Sequence, residues 1–196
     1  MIDTVALAVP GGPRFVDELR RAWDTGAAVA PLDMRPAATS LTDQISLLDP
    51  TVIVDETTTT RRLEGRPAQP GDALVVATSG TSGEPRAAVL THHALQASAD
   101  ATSEWLTVDP DSDRWLACLP LAHVGGLGVV TRAILTGTPL EVHDGFAADD
   151  VMAAAAGGAT LVSLVPAVLD RIDTKAFRRI LLGGSAIPAD RPANAV

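Results

Sequence analysis

Residues 75–95 read VVATSGTSGEPRAAVLTHHAL. The apolar run 73–78 has the content of a buried strand. Hydroxyls and glycines then alternate through Thr78, Ser79, Gly80, Thr81, Ser82 and Gly83, and Pro85 and Arg86 follow. Successive backbone N–H groups in a glycine-rich turn form a concavity for an anion. Glycine lets the backbone approach closely, the hydroxyls add donors without adding charge, and Arg86 adds a cation. A triphosphate is the natural ligand for that combination. A helix entered directly from the loop would add its N-terminal dipole, and Thr91 is a candidate N-cap for a helix over 92–106. The P-loop pattern G-x-x-x-x-G-K-[ST] is not met, because Gly80 and Gly83 are too close and no lysine follows. A flexible Ser/Gly/Thr loop is the competing reading. The strand in front and the Pro-Arg behind favour a phosphate cradle.

Working outward, strands are predicted at 4–9, 27–33 and 51–56, with helices at 14–26 and 40–48 between them. Phe15, Leu19 and Trp23 share one face of the first helix. Beyond the quoted stretch, strands are predicted at 114–121, 139–144 and 160–165. A last strand, from 177, runs into the glycine turn 183–185. Helices are predicted at 123–135, at 148–158, and at 166–173 with Pro166 in its first position. This alternation predicts an α/β fold of mostly parallel sheets with flanking helices. The polar stretch 61–72 reads as a linker or exposed loop. It divides a shortened N-terminal subdomain, 1–60, from a core subdomain, 73–196.

TSGTSGEPRAAVLTH resembles the T-S-G-T-T-G-x-P-K-G phosphate loop of adenylate-forming enzymes, the acyl- and aryl-CoA ligases and their relatives. Arg86 stands where that family has lysine and Ala87 where it has glycine; arginine keeps the charge with a different shape and reach. CLPLAHVGGLG resembles the segment that lines the acyl pocket, LVSLVPAVLDRI a strand followed by a proline-started helix, and ILLGGSAIP the turn near the adenine and acyl group. AWDTGAAVAPLDMRP is similar to an early G-A-x-x-x-P-L-D segment. The resemblance therefore runs from about Trp23 to Pro188. It implies the N-terminal part of a ligase that uses ATP, Mg2+ and CoA, with a small carboxylic acid as the remaining substrate and homodimers common in the family. It implies that Thr78 to Gly83 and Arg86 hold ATP phosphates and that His123 orients the acid. Gly125, Gly126, Ser163, Gly183, Gly184 and Ser185 would border the acyl-adenylate, with Arg86 and His123 as the catalytic pair. The short region before the loop and the histidine of PLAHVGGL are similar to actinobacterial o-succinylbenzoate–CoA ligases of menaquinone synthesis. Another aryl- or fatty-acyl-CoA ligase, or a non-catalytic nucleotide-binding module, is the alternative. The family's Y-G-x-T-E segment, its ribose aspartate and its mobile domain with a catalytic lysine are not in the sequence, so an N-terminal fragment, inactive alone, is expected.

A net charge of −9 argues against a nucleic-acid partner. No apolar run reaches the ~18 residues of a membrane span, and residues 1–12 lack the pattern of a signal peptide; the cytoplasm is the expected location. Cys118, in an apolar run, reads as a buried small hydrophobe. The one lysine, Lys175, reads as a solvated surface residue. His92 and His93 read as helix-start residues, and His143 as structural or exposed. Asp109, Asp111 and Asp113 lack the glycine and terminal glutamate of a calcium loop and read as a solvated turn. No metal site is predicted within the chain.

Overall fold

The structure is a computed structural model and describes residues 1–35, 39–78 and 84–196. The chain forms two compact units, Met1–Leu95 with Leu121–His123, and Gln96–Pro120 with Val124–Val196.

The first unit is built on a six-stranded sheet. In chain order its elements are β1 (Thr4–Ala8), α1 (Pro13–Asp24), β2 (Ala28–Pro31), α2 (Leu41–Leu48), β3 (Val52–Asp55), β4 (Thr59–Arg61), β5 (Asp72–Thr78) and β6 (Arg86–Thr91). The strand order is β4-β3-β1-β2-β5-β6. The four inner strands are parallel, and β4 and β6 run antiparallel at the two edges. The centre is dry: β2 is buried throughout and Ala6, Leu7, Ala28, Val29 and Ala30 are inaccessible. Short side chains there let the helices pack closely on the sheet. Helix α1 starts on Pro13 and buries Phe15, Leu19 and Ala22. Trp23 is only partly buried; its indole N–H donates to the Ala73 carbonyl at 3.0 Å and its ring meets His92 edge-on. Helix α2 is capped by Ser40, whose hydroxyl accepts the Asp43 N–H at 3.2 Å, and ends on Asp49 in the left-handed region.

The second unit carries the parallel four-stranded sheet β10-β9-β7-β8. Its strands are β7 (Trp115–Ala117), β8 (Leu140–Val142), β9 (Leu161–Leu164) and β10 (Arg179–Leu182). Helix α3 (His92–Leu106) precedes β7, and the crossovers are α4 (Val124–Thr136) and α5 (Ala148–Ala156). β7 and β9 are buried throughout, and Leu116, Cys118, Val162, Leu164 and Ile180 share one core. Burial pushes the Cys118 thiol up to about 12, so it stays a protonated hydrophobe and not a nucleophile.

The α/β fold of mostly parallel sheets with flanking helices is as expected; four local readings are corrected. Arg86–Thr91 is a strand, because its backbone pairs with β5, so α3 begins only at His92, where the Thr91 hydroxyl accepts the Ala94 N–H at 3.2 Å as expected of an N-cap. Part of the predicted loop 61–72 is tied into the first unit: Arg61 ends β4, and Ala68 bridges Ile2. Since β5 and β6 also join that sheet, the chain divides after Leu95 and not at 61–72. Pro166–Arg171 is a 3₁₀ helix and not the α-helix expected. Asp113 is buried, not solvated: it takes Arg178 Nε at 2.8 Å, the Thr160 hydroxyl at 2.7 Å and the Asp109 N–H at 2.9 Å. Burial raises its carboxyl, but these hydrogen bonds, Arg178 foremost, leave it below the usual carboxylate range. Arg178 also donates to the Leu106 carbonyl at 3.1 Å, so the pair pins β10 to the end of α3.

Candidate functional site

The sequence-predicted residues fall into one group on the end of a hairpin, one at the mouth of β2, and one in the second unit.

Thr78 ends β5 and Arg86 opens β6, directly opposite in register. The Thr78 hydroxyl donates to the Arg86 carbonyl at 3.2 Å, which closes the pair. Arg86 is exposed. Ser79, Gly80, Thr81, Ser82 and Gly83 lie outside the described residues. Arg86–Thr91, the first described element after them, is a strand and not a helix. Of the described residues at this end of the pair, the exposed Arg86 guanidinium is the group open to an anion.

At the C-terminal end of β2 the chain turns through Asp33 and Arg35. The Gln44 amide, buried on α2, clamps this turn: its Oε1 accepts the Asp33 N–H at 2.7 Å and its Nε2 donates to the Asp33 carbonyl at 3.0 Å. Asp33 in turn holds Arg35 through a fork, from Nε at 2.8 Å and Nη2 at 2.5 Å. Those hydrogen bonds from Arg35 hold the Asp33 carboxyl below its usual range, against burial, and Asp33 raises the guanidinium. The same Nη2 donates to His123 Nε2 at 2.9 Å. The structure thus brings His123, half exposed, against two residues that the sequence reading had not singled out. Asp33 was visible only as part of a PLD segment, and Arg35 carried no signal at all.

In the second unit, Gly125 and Gly126 lie in the first turn of α4. A Cβ on Gly126 would stand 2.2 Å from the Leu119 carbonyl oxygen, so this glycine is required by packing alone. Ser163 is buried on β9. Gly183 donates its N–H to the Leu164 carbonyl at 3.2 Å. Gly184 has φ +81°, which favours glycine, and a Cβ there would come within 3.2 Å of Val165 Cγ1. Ser185, next in the turn, is exposed.

The residue missed outright is Arg132. It sits mid-helix in α4, 8% exposed, beneath the Trp115 ring at 5.0 Å. Its Nε and Nη1 have no hydrogen-bond partner among the described residues. Burial alone pulls the guanidinium down to about 10. A buried charge without a counterion is costly. An arginine inside the apolar run GVVTRAIL was the available signal. Among the described residues no group of three or more His, Cys, Asp or Glu side chains could hold a metal, and no helix is long and apolar enough to cross a membrane.

Residues 61–195 match the AMP-binding enzyme family. The chain is 38% identical over 117 residues to 2-succinylbenzoate–CoA ligase of Escherichia coli, covering 58% of this chain and 25% of that protein. The chain thus spans about a quarter of the length of this curated relative. The structure is similar to that of an O-succinylbenzoate coenzyme A synthetase from Bacillus subtilis in complex with AMP, with TM-score 0.79 and 21% identity over 95% of this chain and 45% of that one. The same Bacillus protein in complex with ATP and magnesium ion gives TM-score 0.72 at 19% identity over 96% of this chain and 58% of that one. At such identities the structural likeness establishes the fold. The sequence match covers well over half of the chain: it belongs to the AMP-binding enzyme family.

Proposed function

We propose that this chain is the N-terminal part of an o-succinylbenzoate–CoA ligase that works through an acyl-adenylate. The observation that carries the acid assignment is Arg132, a buried guanidinium with two unpartnered nitrogens. A monocarboxylic acid spends its only carboxylate on ATP. A dicarboxylic acid keeps a second, and that second carboxylate suits a buried, unpaired arginine, which presents a planar fork of donors. The names of the sequence relatives support the same acid.

In the first half-reaction a carboxylate oxygen of the acid attacks the α-phosphorus of ATP. The bond to the bridging oxygen breaks and pyrophosphate leaves. In the second, the CoA thiolate attacks the acyl carbon and AMP leaves with the bonding pair. The demand on the protein is to hold anions together against their repulsion. Arg86 and the residues Thr78 to Gly83 neutralise and orient phosphates. His123, in the first unit, is the residue we assign to orienting the acid, and Arg132, in the second, is the one we assign to a carboxylate. Ser163 and the turn Gly183, Gly184, Ser185 border the acyl-adenylate. Magnesium would enter with ATP. The described residues offer no carboxylate cluster for it, so no step is assigned to it. The activity is cytosolic chemistry by substrate, and a homodimer is expected from the family.

The test is ATP–pyrophosphate exchange with o-succinylbenzoate beside a panel of aryl and fatty monocarboxylic acids, run on the chain and on the protein extended to its relatives' length. Exchange that depends on o-succinylbenzoate supports the reading. Exchange with monocarboxylic acids alone overturns the acid assignment, and nucleotide binding without exchange in the extended protein favours a non-catalytic module.

A further inference from the structure

Arg35 reaches His123 across 88 residues of chain. A guanidinium only donates, so a 2.9 Å contact from Arg35 Nη2 requires a bare lone pair on His123 Nε2. The one proton of the neutral ring must then sit on Nδ1. The Asp33 carboxylate lies 3.5 Å from the same nitrogen, beyond good hydrogen-bond reach, and is already engaged by the arginine. We propose that Arg35 is a positioning residue: it locks His123 in the Nδ1–H tautomer, so that the imidazole presents one donor, Nδ1–H, to a carboxylate of the acid. The proposal rests on the reading of His123 as an acid-orienting residue.

The arrangement is anchored from the inside outward. Gln44 is 8% exposed and makes three hydrogen bonds to backbone, two to Asp33 and one, at 2.7 Å, to the Thr39 carbonyl. The Asp33 side chain is 12% exposed and receives the arginine through three donors, its backbone N–H at 3.1 Å included. With both Nε and Nη2 fixed by Asp33, the second proton of Nη2 has one direction left, and His123 occupies it. A histidine with neither nitrogen engaged favours the proton on Nε2, so the arrangement inverts the ordinary preference. Which nitrogen carries the proton is set by the partner of the other, the same principle by which neighbours orient metal-binding histidines.

The experiment is long-range proton–nitrogen NMR of the imidazoles of the full 196-residue chain, with His123 identified by its loss in His123→Gln, at a pH where the ring is neutral. The wild-type ring is expected as Nδ1–H, and Arg35→Met is expected to move it toward Nε2–H. A wild-type ring protonated on Nε2 overturns the proposal without recourse to any variant, and so does a tautomer unchanged in a folded Arg35→Met. Titration with o-succinylbenzoate separates this from the functional reading. The acid is expected to shift the His123 Nδ1 signal and to bind Arg35→Met roughly tenfold more weakly. Equal affinity for the two proteins overturns the positioning role. Acid that leaves His123 unmoved while the Nδ1–H tautomer is present overturns the acid reading instead.

Discussion

Replacing Arg132 by methionine should make the ligand-free chain more stable, an unusual expectation for a substitution mid-helix in a core. The guanidinium is 8% exposed, and burial brings it from 12.5 to about 10. At ~1.4 kcal/mol per tenfold, that displacement is a cost of about 3 kcal/mol. The sign follows from the direction. A base whose folded value is depressed is disfavoured by folding at every pH below that value, and relief comes only as pH rises through about 10. At neutral pH the cost is present in full. The Trp115 face at 5.0 Å offsets it, by about 2 kcal/mol for a desolvated cation. Methionine keeps the aliphatic stem and drops both contributions, leaving a gain of about 1 kcal/mol. For a chain of this size that is a rise in Tm of ~2–4 °C, readable by scanning calorimetry at pH 7. In the wild type, o-succinylbenzoate at ~100 times its Kd should add about 2.7 kcal/mol, and in Arg132→Met it should add nothing. A variant destabilised by more than ~1 kcal/mol would refute the reasoning, because it would mean that the folded chain already supplies a partner to the guanidinium.

Three other expectations follow from the same geometry. Asp113 has a depressed folded value, so its contribution is complete above its unfolded value of ~3.9 and is lost as pH falls through the folded one. Acid unfolding of Asp113→Asn should therefore lack part of the wild-type pH dependence, at a cost of ~2–3 kcal/mol near neutrality, and identical acid transitions would count against it. Gly126→Ala should destabilise by ~2–3 kcal/mol because its Cβ meets the Leu119 carbonyl at 2.2 Å. Gly128→Ala, with nothing within 4 Å, should stabilise by about 0.5–1 kcal/mol in urea titrations. Arg86→Ala, at an exposed strand end, should leave stability within the ~0.5 kcal/mol typical of surface changes and weaken ATP binding about tenfold or more; unchanged ATP affinity would remove Arg86 from the phosphate site.

The inner strands were legible because each is a short apolar run between turn signals, as in the Ala73–Val76 part of β5. The edge strands were not. β4 is Thr-Thr-Arg, fully exposed, and is a strand only because β3 offers it an unpaired edge. β6 opens on exposed Arg86 and the small residues Ala87 and Ala88, which carry no strand propensity of their own, and its pairing with β5 decides its state. The burial of Asp113 depends on Arg178, 65 residues later, and no local pattern encodes such a partner. The same is true of Arg35 and His123. Sequence motifs pointed to His123 and Arg86 as chemistry, while the residues that hold His123 in place belong to tertiary structure.

Three arginines of this chain show how environment, and not residue type, separates structural from functional charge. Arg178 is matched: a buried carboxylate takes its fork and two carbonyls take other donors, so nothing remains to recruit a ligand. Arg35 is matched by Asp33 through Nε and Nη2 and turns the second N–H of Nη2 on His123, so these donors are spent on geometry. Arg132 is matched by an aromatic face alone, with two nitrogens unpartnered in the interior. An interior that tolerates this last case gives up stability in the ligand-free state, and an anion bound there would recover the loss. On the proposed function, binding of a dicarboxylic acid would draw on a cost already present in the fold, and an acid lacking the second carboxylate would leave that cost in place. Discrimination of this kind penalises the wrong substrate through a buried group left unpaired, and it exceeds what an apolar pocket of matching shape can achieve.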